Sequence, residues 1–127
     1  MKLRIKGDSL RLRVSRSEVA RLLEGDGLEE TIHFAPETAA RFTYALQPEP
    51  SVSRPTVRYA DNRVTILIPA DQANAWGAGD QVAIAEDIGL GSIGFLALLI
   101  EKDFACLDRS EDDNQDTFPN PNAGTKC

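Results

Sequence analysis

Basic side chains are concentrated at the start of the chain, where their spacing would place them together on one face of a hairpin. Seven of the first 21 residues are basic and two are acidic. In a strand, residues two apart project from the same face, so such cations could contact the phosphates of a nucleic acid. The candidate nucleic-acid-binding residues are Lys2, Arg4, Lys6, Arg11 and Arg13.

Two observations weaken that interpretation of the basic residues. The whole chain has a formal net charge of −6, which argues against a dedicated nucleic-acid binder although a local basic face can still bind phosphate. In the second half Arg58 and Arg63 are nearly alone, so the symmetric basic surface of a dimeric DNA-binding protein is missing. A hairpin face that is simply solvated is the alternative.

Carboxylates are concentrated at the other end of the chain. Residues 112–116 contain the D-x-N-x-D spacing of the first three ligands of a calcium loop. An EF-hand is excluded, because Thr117 stands where that loop needs glycine and Ala123 stands where it needs glutamate. A looser cation site and a solvated acidic loop both remain open. The residues of such a cation site would be Asp108, Glu111, Asp112 and Asp116.

A third kind of chemistry would depend on the thiol of Cys106. A nucleophilic thiol needs a neighbouring base or cation that lowers its pKa, whereas Asp103 and Asp108 lie close to it in sequence. The only histidine, His33, stands between two apolar residues, so we expect its side chain on the solvent face. The sequence favours a structural cysteine over a catalytic pair of Cys106 and His33.

Other sequence signals limit the classes of function. The glycine-rich run from Ile88 to Gly94 lacks the Lys-Ser/Thr pair and the following helix of a P-loop, so we interpret it as a hairpin connection. No pattern indicates a catalytic triad or a cofactor, and an enzyme is not favoured. The longest apolar run, Gly94 to Ile100, is too short to span a membrane. No apolar signal segment stands at the N-terminus, and we expect a cytoplasmic location.

Hydrophobic spacing predicts the elements that would position these residues. Residues 2–6 and 10–14 alternate with period two around Gly7-Asp8, which indicates a hairpin. Ser15 and Glu18 match a capping box at the start of a helix that Gly25 would end with a positive φ. Strands are predicted over 28–34 and 41–46. The order repeats with strands over 56–60 and 63–68, a helix over 69–77, and strands over 81–86 and 95–102.

The two halves of the chain carry the same apolar pattern. Twelve apolar positions coincide with apolar positions 54 residues later without a gap, and Gly25-Asp26 coincides with Gly79-Asp80. A constant offset indicates an internal repeat. We therefore predict a single domain over 1–127 with an α+β, mainly β fold. Duplicated ββαββ units at 2–46 and 56–100, joined by a linker at 47–55, would interleave their strands in a pseudo-two-fold barrel.

An acidic C-terminal tail, residues 101–127, completes the predicted architecture. It contains seven acidic and three basic residues, a composition typical of disorder. However, Phe104, Leu107 and Phe118 are large apolar residues that could anchor it. We expect the tail to fold back over an open end of the barrel, with its carboxylates toward the basic hairpin.

Short motifs carry two resemblances. Arg63–Pro69, read with Gly79–Ile84, is similar to the swapped-hairpin domain of AbrB-type transcription regulators and MazE-type antitoxins, and Lys6–Leu10 resembles the antitoxin turn. This resemblance implies dimer-like interleaving of strands. Over nearly the whole chain, the start KLRIKGDSLRLR and the ending EKDFACL…ED…DTFPNP resemble a family of short uncharacterised bacterial proteins.

The expected function is a non-catalytic binding or accessory module without a cofactor. Its partner would be a protein or a nucleic acid, and not a membrane. One alternative is an AbrB-like regulator that binds nucleic acid through the basic hairpin. The second is a cation- or thiol-dependent site in the acidic tail.

Overall fold

The computed structural model of the protein describes residues 1–104 and 116–119. Within them it has eight strands, two α-helices and one short 3-10 helix, Gly91–Ile93. This confirms the predicted α+β, mainly β class. The elements are β1 (Lys2–Ile5), β2 (Ser9–Val14), α1 (Arg16–Leu23), β3 (Leu28–His33), β4 (Arg41–Glu49), β5 (Thr56–Ala60), β6 (Arg63–Pro69), α2 (Ala70–Ala78), β7 (Ala83–Gly89) and β8 (Phe95–Lys102).

The strands form two four-stranded sheets, each of which takes one hairpin from either half of the chain. The first sheet has the order β1-β2-β8-β7 and the second has the order β3-β4-β6-β5. The outer pairs in each sheet are antiparallel, whereas the central pairs, β2 with β8 and β4 with β6, are parallel. In each sheet the two halves therefore meet at the central parallel pair.

The predicted closed barrel is wrong. Among the described residues β1 and β7 are the edges of the first sheet, β3 and β5 are the edges of the second, and no strand pair joins the two sheets. Ion pairs connect the edges instead. The amino group of Met1, before β1, lies 3.7 Å from Glu30 of β3, and Arg54, before β5, pairs with Glu86 of β7. Closing a barrel would require the edge strands of the two sheets to lie about 4.8 Å apart and to share a continuous ladder of backbone hydrogen bonds.

Element boundaries follow the 54-residue offset closely. Three elements of the first half begin 54 residues before their counterparts in the second half: β1 at Lys2 and β5 at Thr56, β2 at Ser9 and β6 at Arg63, and α1 at Arg16 and α2 at Ala70. The duplication itself stays a prediction, which superposition of 2–46 on 56–100 would test. Other bounds differ from the prediction: β4 continues to Glu49, into the predicted linker, and β7 covers Ala83–Gly89 rather than residues 81–86.

One hydrophobic core lies between the sheets and the helices. Most of its members come from alternate positions of the central strands and from one face of each helix, and the edge strands add Leu28 and Ile84. Burial of a large apolar side chain contributes about 1.5–3 kcal/mol. Trp76 of α2 is fully buried, and its indole N–H donates to the carbonyl of Val82 at 3.2 Å. The largest fully buried side chains are Trp76, Leu12, Leu46, Ile66, Ile68, Ile84, Ile100 and Val14.

The Gly-Asp dipeptides after the two helices have different conformations. Gly25 has φ +92°, and the N–H groups of Gly25 and Asp26 donate to Leu22 and Arg21, which confirms the predicted end of α1. Gly79 has φ −104°, so it does not take the left-handed conformation of its counterpart Gly25. Glycine is needed at position 79 for another reason: a Cβ would lie 2.7 Å from the carbonyl oxygen of Ala75.

Candidate functional site

Four of the five predicted phosphate-binding residues line one groove on the outer face of the first sheet. Lys2 pairs across the hairpin with Arg13, and Arg4 pairs with Arg11. The alternate residues of β2 are buried, so the basic side chains lie on the face away from the core. We call these four residues the basic face; with Leu3 they line a cavity of about 220 Å³. Lys6 lies in the β1–β2 turn, outside the residues that line the cavity.

Glu101 of β8 holds two of these arginines in place. The Nε–H groups of Arg11 and Arg13 both donate to Glu101 Oε1, at 2.6 Å and 2.8 Å. Partial burial of Glu101 acts to raise its pKa, but the hydrogen bonds and charges of the two arginines outweigh it and keep the pKa below its usual value. The carboxylate is therefore ionised at neutral pH, and it orders two guanidinium groups beside each other.

The parallel pairing of β2 with β8 creates this arrangement. Arg13 lies opposite Glu101 in that register, although the two residues are far apart in sequence. Next to Glu101 in the chain, the buried Asp103 lies 3.5 Å from the ammonium group of Lys2. Sequence reasoning missed Glu101, which it assigned to a tail; the alternation of residues 95–102 was the only available signal.

An apolar strip lies beside the basic face, on the same side of the first sheet. Arg11 is opposite Leu99, and Leu99 is opposite Ala85 of β7. Two residues before Leu99 in β8, Ala97 is exposed, and Phe95, two residues earlier still, is 67% exposed. We call the outward residues Ala83, Ala85, Phe95, Ala97 and Leu99 the apolar strip. The outer face of this sheet thus has a cationic half and an apolar half.

Of the other predicted site residues, only Asp116 falls within the described part of the chain; Cys106, Asp108, Glu111 and Asp112 lie outside it. Asp116 is bound to the start of α1. Its carboxylate accepts from the backbone N–H of Ser17 at 2.9 Å and from the Ser17 hydroxyl, and its carbonyl accepts from the N–H of Arg16. The hydrogen bond from the Ser17 hydroxyl is the main cause that lowers the pKa of Asp116.

Asp116 completes the N-terminal cap of α1. Ser15 and Glu18 form the predicted capping box, in which the Ser15 hydroxyl accepts from the N–H of Glu18 at 3.4 Å. The N–H groups of the first helical turn need acceptors, and Asp116 accepts from those of Arg16 and Ser17, the two residues before Glu18. An anion is also favoured at the positive end of a helix. The cation site stays a prediction, with one of its four residues engaged at this helix.

The segment around Asp116 also packs on the core. Phe118 forms a backbone bridge with Phe104, and their ring centroids are 5.9 Å apart. Phe118 also lies 5.3 Å from the buried ammonium group of Lys102, which donates to the carbonyl of Gly79 at 2.8 Å. Burial lowers the pKa of Lys102. The third predicted anchor, Leu107, lies outside the described residues.

A polar cleft of about 620 Å³ on the second sheet was not predicted from the sequence. It contains charges of both signs: Arg63 lies 2.8 Å from Glu29, and the hydroxyl groups of Thr31 and Thr43 are 2.8 Å apart. His33 lies at the exposed end of β3. Within residues 1–104 and 116–119, no three His, Cys, Asp or Glu side chains are grouped so that they could hold a metal ion.

Neither helix in the described part of the chain is long and apolar enough to cross a membrane. Comparison with curated proteins and with solved structures finds no match. One family model, described as a family of unknown function (DUF7009), matches residues 1–122. The match covers nearly the whole chain, including the basic face, the apolar strip and both Gly-Asp exits, and the protein therefore belongs to the DUF7009 family of unknown function.

Proposed function

We propose that the protein is a non-catalytic binding module whose basic face contacts the phosphate backbone of a nucleic acid. The observation that carries the proposal is the arrangement of four cationic side chains around one groove, with Arg11 and Arg13 both fixed by Glu101. Fixed guanidinium groups lose less conformational entropy when they bind a ligand. Beyond Nε, each guanidinium carries further N–H donors that suit phosphate oxygens.

The proposal includes the internal duplication predicted from the sequence. The exchange of hairpins between the two halves supports a single-chain equivalent of a swapped-hairpin dimer. The outer faces of the two sheets differ, however. At the offset of 54, Arg4 corresponds to Arg58, but Arg11 corresponds to Thr65 and Arg13 to Leu67. We therefore propose a single binding face rather than two symmetric ones.

Salt dependence of binding tests the proposal. Each phosphate contact to a single strand contributes about −0.7 to the slope of log K against log salt. Four contacts give a slope of about −3, so affinity should fall about 50-fold between 50 and 200 mM salt. Fluorescence polarisation with a labelled 12-nucleotide DNA and its duplex form would measure both slopes. Duplex contacts should have a somewhat steeper slope, about −0.9 each.

A matched pair of variants separates the basic face from general charge. Arg4→Gln should reduce the magnitude of the slope by about 0.7–0.9. Arg58→Gln removes the same charge from an exposed strand position of the second sheet and should leave the slope unchanged. Absence of salt-dependent binding to either nucleic acid, or equal effects of the two variants, would refute the proposal.

A further inference from the structure

We infer that this surface takes single-stranded nucleic acid, with the phosphates on the basic face and the bases on the apolar strip. The inference rests on the proposed function and names the class of its ligand. It is carried by the division of the first sheet into β1–β2, which present the cations, and β8–β7, which present Leu99, Ala97 and Phe95 outward.

The dimensions of the sheet fit such a ligand. Side chains two apart along one strand repeat about every 6.8 Å, and neighbouring strands lie about 4.8 Å apart. Arg11 and Leu99 are direct neighbours across β2 and β8. When a phosphate is bound at Arg11, the base of the same nucleotide can therefore reach the apolar strip. Arg13 and Arg11 could hold phosphates in succession along the strand.

The apolar strip distinguishes a single strand from a duplex. In a duplex the flat faces of the bases are stacked on one another, so they would leave Leu99 and Phe95 uncovered. A single strand can place its bases on apolar and aromatic side chains. Phe95 is suited to stacking because it is 67% exposed although it is a large aromatic residue.

A carboxylate on this surface could contact base edges. Asp87 of β7 is exposed and lies opposite Ala97, so it projects from the same face as the apolar strip. Exocyclic amino groups of cytosine and adenine donate hydrogen bonds that a carboxylate can accept. The ionised side chains of an acidic protein segment, which is the other polyanion that the basic face could attract, have no hydrogen-bond donor to offer this carboxylate. The combination of cations, apolar strip and Asp87 favours a nucleic acid.

Oligomers that differ only in their bases test the inference. A 12-nucleotide single strand should bind more tightly than its duplex, and a strand of equal length with abasic sites should bind less tightly with the same salt slope. Phe95→Ala should weaken binding of the intact strand about 5- to 100-fold and leave binding of the abasic strand unchanged. Phe34→Ala is the matched control, since Phe34 is 70% exposed in the loop after β3, and it should change neither.

The outcomes separate the inference from the proposed function. Equal or tighter binding of the duplex, or equal binding of the abasic and intact strands, would overturn the single-strand inference, while salt-dependent binding sensitive to Arg4→Gln would leave the proposed function standing. If no nucleic acid binds and polyglutamate does, both are overturned and the surface is a site for an acidic protein segment.

Discussion

The contact between the two helices leads to a quantitative prediction. The sequence predicted that the second helix ends at Gly77, whereas α2 continues to Ala78 and Gly77 lies within its last turn. A Cβ at this position would lie 2.8 Å from Leu23 Cδ2 and 3.2 Å from Val19 Cγ1, both on α1. Gly77 and Leu23 stand 54 residues apart and thus occupy corresponding positions in the two halves. A large side chain on one helix fits the space left by glycine on the other.

The expected energies follow from this geometry. Replacing a glycine inside a helix by alanine stabilises the helix by about 1 kcal/mol, whereas overpacking a tight contact costs about 1–3 kcal/mol. Gly77→Ala alone should therefore destabilise the protein by about 0–2 kcal/mol. Leu23 is 39% exposed, so Leu23→Ala should cost about 1–2 kcal/mol, less than a fully buried leucine. In that background Gly77→Ala should stabilise the protein by about 0.5–1 kcal/mol.

A double-mutant cycle measures the coupling between the two positions. Urea unfolding can be followed by the fluorescence of Trp76, the only tryptophan, which is fully buried. We expect a coupling free energy of about 1–3 kcal/mol. Gly89→Ala, combined with Leu23→Ala in the same way, serves as the control for Gly77→Ala, because a Cβ at Gly89 would meet no atom within 4 Å. Additive effects at positions 77 and 23, within about 0.5 kcal/mol, would refute the proposed steric fit.

Two further predictions concern titration. Burial, together with the 2.7 Å hydrogen bond to Glu30, raises the pKa of Tyr44 to about 12; in a Tyr59→Phe variant the phenol absorbance at 295 nm should titrate there, and Glu30→Gln should lower the midpoint. The stability that depends on this shift should be complete below about pH 10 and be lost as pH rises through 12. Asp116 has φ +60°, which asparagine also tolerates. Asp116→Asn removes the anion at Ser17, so it should lower the unfolding free energy at neutral pH by about 0.3–1 kcal/mol. Because the folded state lowers the pKa of Asp116 below 3.8, this difference should disappear as pH falls through the folded-state value; a difference that persists in acid would contradict the charge-based explanation.

Local patterns predicted the individual elements well. The capping box of Ser15 and Glu18, the positive φ of Gly25 and the bounds of β8 all follow from spacings of a few residues. Each depends on hydrogen bonds or side-chain alternation within one element, which neighbouring residues determine. The 54-residue offset extends this information to both halves, because it marks the positions that face the core.

The sequence did not determine the features that depend on contacts between distant segments. Two hairpins with the same apolar alternation can pair in several ways, since period two states which face is buried but not which strand is the neighbour. The parallel register of β2 with β8 decides that Glu101 meets Arg11 and Arg13, and that Leu99 lies beside them. Closure of a barrel depends equally on the edges, where the ion pair of Arg54 with Glu86 connects β5 and β7 in place of a ladder.

The same distinction between local pattern and distant contact applies to the candidate site. The amino-acid sequence alone determined which residues are cationic and that alternation would bring Lys2, Arg4, Arg11 and Arg13 to one face of a hairpin. Only the tertiary structure decided what surrounds them, because Glu101, Leu99 and Ala85 reach that face through backbone pairing across the sheet. Likewise Asp116, predicted as a cation ligand, meets the N–H groups of α1, since unsatisfied donors at a helix start attract a carboxylate from anywhere in the chain.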